Sequence, residues 1–455
     1  MALETGDYDQ EVEMAKTVVV GGGASGLAAA YTLERAGVDC TLLEKEEYSG
    51  GRIYGVVREG YTLDLGAQFF FTRYRSVIDI IKRLGIEDQL VWFKPSLGIL
   101  RDGTVHVVHT DVLYNITHPT ALFKFRPLSS RGMRRGPKLG VKLLALRKKL
   151  DFDDPLKAIE LDNISTTEYA RRSFGDEILE YIVQPVVSAL TLGEPEEVSA
   201  AYGLGLILYA MGGLGTLKNG IGFLAESMAK NISDLKLKTE VTRIVLENKK
   251  VKGVEIGTGK KKEFIEADNV ICGTTGTVAA KILGDLPKKM TGILADIRYS
   301  SCVHVMFAIP SKPLGSVYGV ATPRREGLCM PGFVENSNKF SAYAPPGTGI
   351  MHTFSFGEFS REMMDWDEDQ IKERMIHELQ MVVPQFPDEP TFCEVFRWPE
   401  AVGLCSPGQI TAVQRLKVDM GGFKGLHLAG AYLGMPSVEA AIHYGVQAAE
   451  RVLKS

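Results

Sequence analysis

Three glycines and one carboxylate near the start of the chain have the types and spacing needed to bind a dinucleotide. Gly21, Gly23 and Gly26 fit the pattern G-x-G-x-x-G, and Glu44 lies about 20 residues beyond them. The glycines allow, in order, a tight turn, approach of the backbone to a pyrophosphate, and close packing of a helix on a strand. Glu44 would accept a hydrogen bond from a ribose hydroxyl and would repel a 2′-phosphate. The pattern therefore predicts FAD or NAD and argues against NADP.

The elements around these residues have to place them at the edge of a sheet. The β-branched run Thr17–Val20 predicts a buried parallel strand, residues 27–36 a helix, and residues 38–43 a second strand. Gly37 is expected to end the helix in a left-handed conformation. The N-terminus of this helix offers free N–H groups to an anion. In this unit the residues predicted to contact the nucleotide are Gly21, Gly22, Gly23, Ala24, Ser25, Gly26, Glu44 and Lys45.

Composition limits the other functions open to the chain. With 455 residues, of which 45% are hydrophobic, it can bury the cores of about two or three domains. A net charge of -4 argues against general nucleic-acid binding. Six cysteines without CxxC spacing indicate neither a disulfide framework nor a zinc site, and we predict no metal. The acidic first residues lack an apolar signal segment, so we expect a cytoplasmic protein, monomeric or homodimeric.

One segment departs from the balanced charge. No acidic residue lies between Asp111 and Asp151, and two interpretations of this stretch stay open. It is a solvated loop and helix face, or it attracts an anionic lipid surface or a carboxylate-bearing substrate. The second interpretation would make the protein peripheral at a membrane surface. The basic residues of the segment are Lys124, Arg126, Arg131, Arg134, Arg135, Lys138, Lys142, Arg147, Lys148 and Lys149.

Residues after Glu44 extend the nucleotide pattern. Gly50, Gly51 and Arg52 combine a glycine pair with a cation suited to phosphates. Residues 74–210 are predicted to be mainly helical and to form an inserted substrate-side domain, and strands are expected again from residue 236. The chain has a single dinucleotide pattern, which argues against reductases that relay electrons from NAD(P)H. Oxygen, a quinone or another acceptor is therefore expected to re-oxidise the cofactor.

Further motifs occur along nearly the whole chain. They are Gly50-Gly51-Arg52, Asp64-Leu65-Gly66-Ala67, Thr239-Glu240-Val241, residues 165–199, residues 397–408 and the ending HLAGAYLGMPSVEAAIHYGVQAAERV. Together with the opening unit they resemble the flavin amine oxidase superfamily. Within it, the chain is most similar to the branch of protoporphyrinogen oxidases and carotenoid-type desaturases. The cofactor motifs are specific to the superfamily, whereas the substrate-side motifs are loose.

The resemblance implies an α/β fold with FAD as the cofactor. A Rossmann-like FAD-binding domain of the glutathione-reductase type would be assembled from residues 1–80, 216–290 and 412–455. An inserted α+β substrate-binding domain would comprise residues 81–215 and 291–411.

The resemblance also implies roles for residues far from the opening unit. Beyond that unit, the implied cofactor contacts are Gly51 and Arg52 near the phosphates or flavin, Gly66, Ala67 and Gln68 beside the isoalloxazine, Val241 at the adenine, Gly430 at the ribityl phosphate, and Ser437 and Val438 at flavin N1 and the C2 carbonyl. The last placement has a physical purpose, because a helix N-terminus stabilises the negative charge of a reduced flavin.

Three positions depart from the pattern of amine oxidases. Many members have an acidic residue where this chain has Ala431. Amine oxidases commonly place a lysine near flavin N5, where this chain has His304, and an aromatic residue on the flavin face, where it has Ser437. These differences argue against simple amine oxidation. His304 is a candidate proton shuttle because its ordinary pKa is near neutral, and a structural role is the alternative.

Three functions therefore stay open. The leading prediction is an FAD-dependent oxidase or dehydrogenase that desaturates a largely apolar or conjugated small molecule, such as a protoporphyrinogen-like tetrapyrrole, by hydride transfer to flavin N5. A carotenoid precursor is the related alternative. The second function is oxidation of a C–N bond in an amine, and the third is flavin binding without catalysis.

Overall fold

The first strand, helix and second strand form at the predicted place. In the computed structural model, which describes residues 16–109, 127–257 and 262–454, β1 is Thr17–Val20 and β2 is Cys40–Leu43. The helix Ala24–Arg35 between them begins three residues earlier than predicted, directly after the glycine loop. Gly37 has a φ of 75°, as a left-handed helix end requires. The basic residues Lys124 and Arg126 lie outside the described residues.

A parallel sheet of five strands collects segments from distant parts of the chain. Its order is β10-β2-β1-β14-β20, where β10 is Asp234–Lys236, β14 is Asn269–Cys272 and β20 is Leu426–Leu428. All neighbouring pairs are parallel, and β1 is buried along its whole length. Burial on both faces explains the continuous apolar run that the sequence shows there.

Two glycines set how closely helices pack on this sheet. A Cβ atom on Gly26 would lie 1.9 Å from the carbonyl oxygen of Gly21. A Cβ atom on Gly445, in the last helix Val438–Val452, would lie 2.2 Å from the carbonyl oxygen of Ser25. The first and last helices therefore touch through their backbones, which holds both helix N-termini at the same edge of the sheet.

A second sheet of seven strands covers the other half of the molecule. Its order is β19-β15-β18-β17-β16-β7-β8. The strands are β7 Ser96–Arg101, β8 Thr104–His109, β15 Cys302–Ile309, β16 Val317–Ala321, β17 Gly332–Glu335, β18 Gly349–Phe354 and β19 Phe392–Trp398.

The prediction of a mainly helical stretch over residues 74–210 was wrong for residues 90–109. Residues Leu90–Phe93 are a strand, and β7 and β8 form a hairpin whose turn residues Asp102 and Gly103 both have positive φ. Arg75–Leu84 and most of the described residues 130–210 are helical. Ser165 caps the helix Thr166–Phe174 by accepting a hydrogen bond from the N–H of Glu168.

Smaller elements complete the structure. The remaining strands are β3 Gly55–Arg58, β4 Tyr61–Asp64, β5 Phe70–Phe71, β6 Leu90–Phe93, β9 Leu214–Leu217, β11 Val241–Glu247, β12 Lys250–Ile256 and β13 Glu263–Glu266. The remaining helices are Arg75–Leu84, Ser130–Leu146, Asp176–Ile178, Gln184–Thr191, Ala200–Ala210, Gly222–Ala229, Gly276–Ile282, Lys288–Ala295, Gly357–Met363, Glu368–Val382 and Gln409–Met420, and Leu179–Val183 is a π-helical turn. Among the described helices, none is long and apolar enough to cross a bilayer.

The two proposed domains share one small sheet. β9 pairs with β5, which falls in the proposed FAD-binding domain, and with β6, which falls in the proposed substrate-binding domain. The domain boundaries stay a prediction.

Candidate flavin site

The glycine loop has the shape of a phosphate cradle. Gly21 has a φ of 94° and donates its N–H to the carbonyl of Leu43 at 2.8 Å. Gly23 precedes the first helix, and no side chain caps it. A Cβ atom on Gly23 would meet nothing within 4 Å, so the space in front of this residue is open to a ligand. The loop therefore fits an anion held by backbone N–H groups.

Glu44 lies against this loop. Its carboxylate accepts hydrogen bonds from the N–H of Gly22 at 2.6 Å and from the N–H of Glu46 at 2.9 Å, and the residue is buried. The carboxylate keeps further lone pairs for ribose hydroxyls. Its neighbour Lys45 has an exposed side chain that pairs with Glu46, and its contact with a nucleotide stays a prediction.

Glu44 also forms a backbone hydrogen bond to the residues that precede β11, the strand predicted to contact adenine. Its carbonyl accepts a hydrogen bond from the N–H of Thr239 at 2.8 Å, and β11 begins two residues later at Val241. Val241 is thereby brought to the end of the site where the ribose acid lies. Its contact with adenine stays a prediction.

The second glycine pair lies beside the first loop. The N–H of Gly50 donates to the carbonyl of Gly22 at 2.7 Å, and a Cβ atom on Gly51 would lie 3.2 Å from the Cα atom of Gly23. Arg52 follows, with its guanidinium 5.4 Å from the centre of the Tyr299 ring. The structure thus places the backbone before Arg52 against the glycine loop, while a contact of the Arg52 guanidinium with the cofactor stays a prediction.

Residues 66–68 pass close to Arg52. The N–H of Ala67 donates to the carbonyl of Arg52 at 2.9 Å, and a Cβ atom on Gly66 would lie 2.1 Å from the same oxygen. Gln68 folds back and donates through Nε2 to the carbonyls of Asp64 and Gly66, both at 2.8 Å. This short segment is therefore rigid and continuous with the glycine loop.

Residues near the end of the chain form the last part of the predicted cofactor site. Gly21 and Gly430 both approach Thr274, with a Cβ atom on Gly430 placed 3.2 Å from the Thr274 carbonyl oxygen. Ser437 accepts a hydrogen bond from the N–H of Ala440 at 3.0 Å and so caps the last helix, which begins at Val438. The segments that were predicted to hold one cofactor therefore converge, and their chemistry fits FAD. The individual cofactor contacts stay predictions.

Glu439 ties the last helix to its neighbour. Its carboxylate accepts hydrogen bonds from the N–H groups of Arg75, Ser76 and Val77 at 2.6, 2.7 and 3.0 Å, at the start of the helix Arg75–Leu84. Burial, followed by the charge of Asp153, raises the pKa of Glu439 to about 7. The Ser437 cap and the three hydrogen bonds to Glu439 thus hold the first turn of the last helix in place.

His304 lies next to residues 66–68. It is buried on β15, and its Nδ1 is 2.8 Å from the carbonyl oxygen of Leu65, directly before Gly66. Burial lowers the pKa of His304 to about 4, so the ring is neutral at neutral pH. The structure thus places His304 beside residues 66–68, the predicted flavin segment, while its catalytic role stays a prediction.

An ion pair that sequence reasoning missed holds this region together. Lys339 is fully buried and donates through Nζ to Asp64 at 2.5 Å and to the carbonyl of Gln68 at 2.7 Å. Burial lowers the pKa of Lys339, and the charge of Asp64 opposes this shift. The other carboxylate oxygen of Asp64 accepts from the N–H of Ile221 at 2.7 Å. Asp64 belongs to a motif that the sequence shows, whereas nothing near Lys339 in the sequence marks it.

The Lys339 ion pair generates the first prediction. Lys339→Met should lower the free energy of unfolding by about 3–5 kcal/mol, because it leaves the Asp64 carboxylate buried without its cation. The double variant Lys339→Met/Asp64→Asn should recover part of this loss. Urea unfolding of the three proteins measures the effect. A single variant as stable as the parent, or a double variant no better than the single one, would contradict the assignment.

Gly23 generates the second prediction. With a φ of -74° and open space around it, Gly23→Ala should fold as the parent does but place a methyl group where the pyrophosphate is expected. FAD affinity should fall by about tenfold or more, or ~1.4 kcal/mol. Flavin retention on dilution measures affinity, and thermal unfolding of the apoprotein checks the fold. Gly292→Ala, which also meets nothing within 4 Å, is the control. Normal flavin retention in Gly23→Ala would refute the cradle.

Comparisons with known proteins agree with this geometry. The chain is 24% identical to coproporphyrinogen III oxidase of Bacillus subtilis, over 91% of the chain and 93% of that protein. It is 22% identical to the chloroplastic protoporphyrinogen oxidase of Nicotiana tabacum, over 96% and 85%. The solved structure of a putrescine oxidase bound to putrescine has the same fold, with a TM-score of 0.75, 16% identity, and coverage of 97% of this chain and 99% of that one.

A family profile spans almost the whole chain. The profile described as "Flavin containing amine oxidoreductase" matches residues 24–453, which include nearly every element described above. The chain therefore belongs to the flavin-containing amine oxidoreductases, and it is an FAD-dependent oxidoreductase.

Proposed function

We propose that the protein oxidises a reduced cyclic tetrapyrrole of the porphyrinogen class, removing hydrogen from a largely apolar, conjugated ring. The observation that carries the proposal is the similarity to coproporphyrinogen III and protoporphyrinogen oxidases over nearly their full lengths. The aromatic residues that follow the flavin segment also support it. Oxidation of a C–N bond in an amine is the competing function.

An aromatic wall follows the flavin segment directly. The rings of Phe69 and Phe71 lie 5.6 Å apart and those of Phe69 and Tyr318 lie 6.5 Å apart. Phe93 extends the wall, with its ring 5.3 Å from that of Tyr318. A wide, flat and largely apolar substrate gains more from such a wall than a small ammonium ion does. His304, which is neutral where amine oxidases commonly have a lysine, is consistent with this choice.

The mechanism divides between cofactor and chain. The glycine loop, Glu44 and the last helix would hold FAD, which would supply the hydride-accepting chemistry when bound. The chain orients the substrate ring along the aromatic wall and excludes water from it. The helix N-terminus at Ser437 favours negative charge in front of it. Oxygen and quinones are the proposed final acceptors.

The test of this function is bleaching of the bound flavin. Under anaerobic conditions, protoporphyrinogen or coproporphyrinogen should reduce the flavin of the purified protein, and putrescine, cyclohexylamine and phytoene should not. Re-oxidation with oxygen and with a quinone then ranks the acceptors. Gly23→Ala, depleted of FAD, controls for non-enzymatic oxidation. Bleaching by amines alone would overturn the proposal, as would the absence of bleaching by either porphyrinogen.

We also propose that the helix Ser130–Leu146 rests on an anionic lipid surface. One side of this helix packs on the core through Leu139, Leu143 and Leu146. The other side exposes apolar side chains, of which Val141 is 69% and Leu144 59% accessible. Exposed basic side chains flank them, namely Arg131, Arg134, Lys138, Lys142, Arg147 and Lys148. An exposed apolar stripe between cations is the pattern of a helix that lies in a membrane interface.

Vesicle flotation tests the lipid contact. The protein should float with phosphatidylserine-containing vesicles at low salt, bind less at high salt, and not bind neutral phosphatidylcholine vesicles, because the attraction is electrostatic. Lys138→Glu/Lys142→Glu should lose most of the binding, and Lys288→Glu/Lys289→Glu on a different helix should not. Binding that is insensitive to salt and to the first variant would contradict the proposal.

A further inference from the structure

We propose that Nε2 of His352 accepts a hydrogen bond from an N–H group of the substrate, and that His304 is a positioning residue that sets the tautomer of His352. This inference rests on the proposed function only for the identity of the substrate. His352 lies on β18, whereas His304, the histidine that the sequence indicated, lies on β15.

The two histidines share one face of the seven-stranded sheet. In the β15–β18 register, His304 pairs with Phe354 and Met306 pairs with His352. Residues two apart on a strand point to the same face, so both imidazoles project toward residues 64–68. Nε2 of His304 lies 3.0 Å from Nδ1 of His352.

The hydrogen bonds determine which nitrogens carry protons. The carbonyl oxygen of Leu65 can only accept hydrogen bonds. Its two partners are Nδ1 of His304 at 2.8 Å and Nε1 of Trp398 at 2.9 Å. Nδ1 of His304 therefore carries its proton, and because the buried ring is neutral, its Nε2 is an acceptor. His352 must then donate through Nδ1. Burial lowers the pKa of His352 as well, so the ring is neutral and its Nε2 is an unprotonated acceptor.

This acceptor is buried without a donor. His352 has no accessible surface, and its Nε2 has no hydrogen-bond partner among the described residues. An unpaired buried polar atom has lost its hydrogen bonds to water without gaining a protein partner, which is unfavourable. Such a cost is tolerated where a ligand supplies the missing partner.

A second buried acceptor accompanies it. Val334 pairs with His352 between β17 and β18, and Asn336 follows two residues later. The amide of Gln68 is oriented by its two donated bonds, so its oxygen must accept from Nδ2 of Asn336, at 2.7 Å. Oδ1 of Asn336 is consequently an acceptor, and it too has no partner among the described residues. The hydroxyl of Tyr318, in the aromatic wall, is likewise unpaired there.

The unpaired atoms point to the chemical class of the ligand. Asn336 is bonded to Gln68, and Tyr318 belongs to the aromatic wall that starts at Phe69. An apolar ring that carries several N–H donors and lies along this wall would suit the two acceptors and the hydroxyl. A porphyrinogen has this chemistry, since each of its pyrrole rings bears an N–H group. The oxidised macrocycle has fewer N–H groups, so the same acceptors would favour the reduced substrate over the product.

The first experiment reads the tautomer and the contact without turnover. In the FAD-loaded protein labelled with ¹⁵N-histidine, NMR should show His352 protonated at Nδ1 and unprotonated at Nε2. Addition of 2,4-dimethylpyrrole should shift the Nε2 signal, and its N-methyl analogue should not. His304→Phe should abolish the fixed tautomer of His352. A protonated Nε2, or equal responses to the two pyrroles, would overturn the inference.

The second experiment measures turnover. His352→Phe should raise the KM for porphyrinogen by about tenfold, equivalent to ~1.4 kcal/mol, while flavin content stays normal. His352→Gln, which keeps an acceptor, should recover part of this loss, and His106→Phe on β8 is the control. An unchanged KM in His352→Phe would overturn the inference. If porphyrinogens fail to bleach the flavin while the NMR results hold, the proposed function fails and the acceptor role of His352 stands.

Discussion

The buried ion pair between Lys339 and Asp64 is the interaction on which the site depends. Lys339 comes from the chain after β17, and Asp64 ends β4, so the pair joins segments that are distant in sequence. Through Gln68 and Ile221, the pair also fixes the flavin segment and the start of the helix Gly222–Ala229. A charge buried in this way needs its counter-ion, so the segments cannot separate without stranding it.

Backbone contacts at two glycines hold the elements together at the nucleotide end of the site. The first and last helices approach through Gly445, and the glycine loop meets its own helix through Gly26. Any side chain there would push the elements apart, because the Cβ atom would overlap a carbonyl oxygen. Gly23 is different, since the space in front of it is empty of protein. Two glycines thus serve packing, and the third leaves room for the ligand.

The two histidines near the flavin segment are neutral. Burial lowers the pKa values of His304 and His352, so both imidazoles act through hydrogen bonds and not through charge. An apolar substrate with N–H donors is matched by neutral acceptors, whereas an ammonium substrate would require anionic or strongly polar partners. This electrostatic character connects the proposed substrate class with the hydrogen-bond geometry.

Much of the nucleotide-binding half could be predicted because its signals are local. The run Thr17–Val20, the glycine spacing and Glu44 lie within one strand-helix-strand unit, and that unit forms as expected. The hairpin of β7 and β8 was missed, because short strands inside a helix-rich stretch carry weak periodicity and gain their stability from the neighbouring β16.

The sequence by itself determined the cofactor class and predicted the segments that would hold it, since both depend on spacing along the chain. Only the tertiary structure decided that Lys339 neutralises Asp64 and that His304 orients His352. These side chains are separated by 275 and 48 residues, respectively. Their chemistry arises from burial and from which atoms meet across strands, and neither property is encoded in a local pattern.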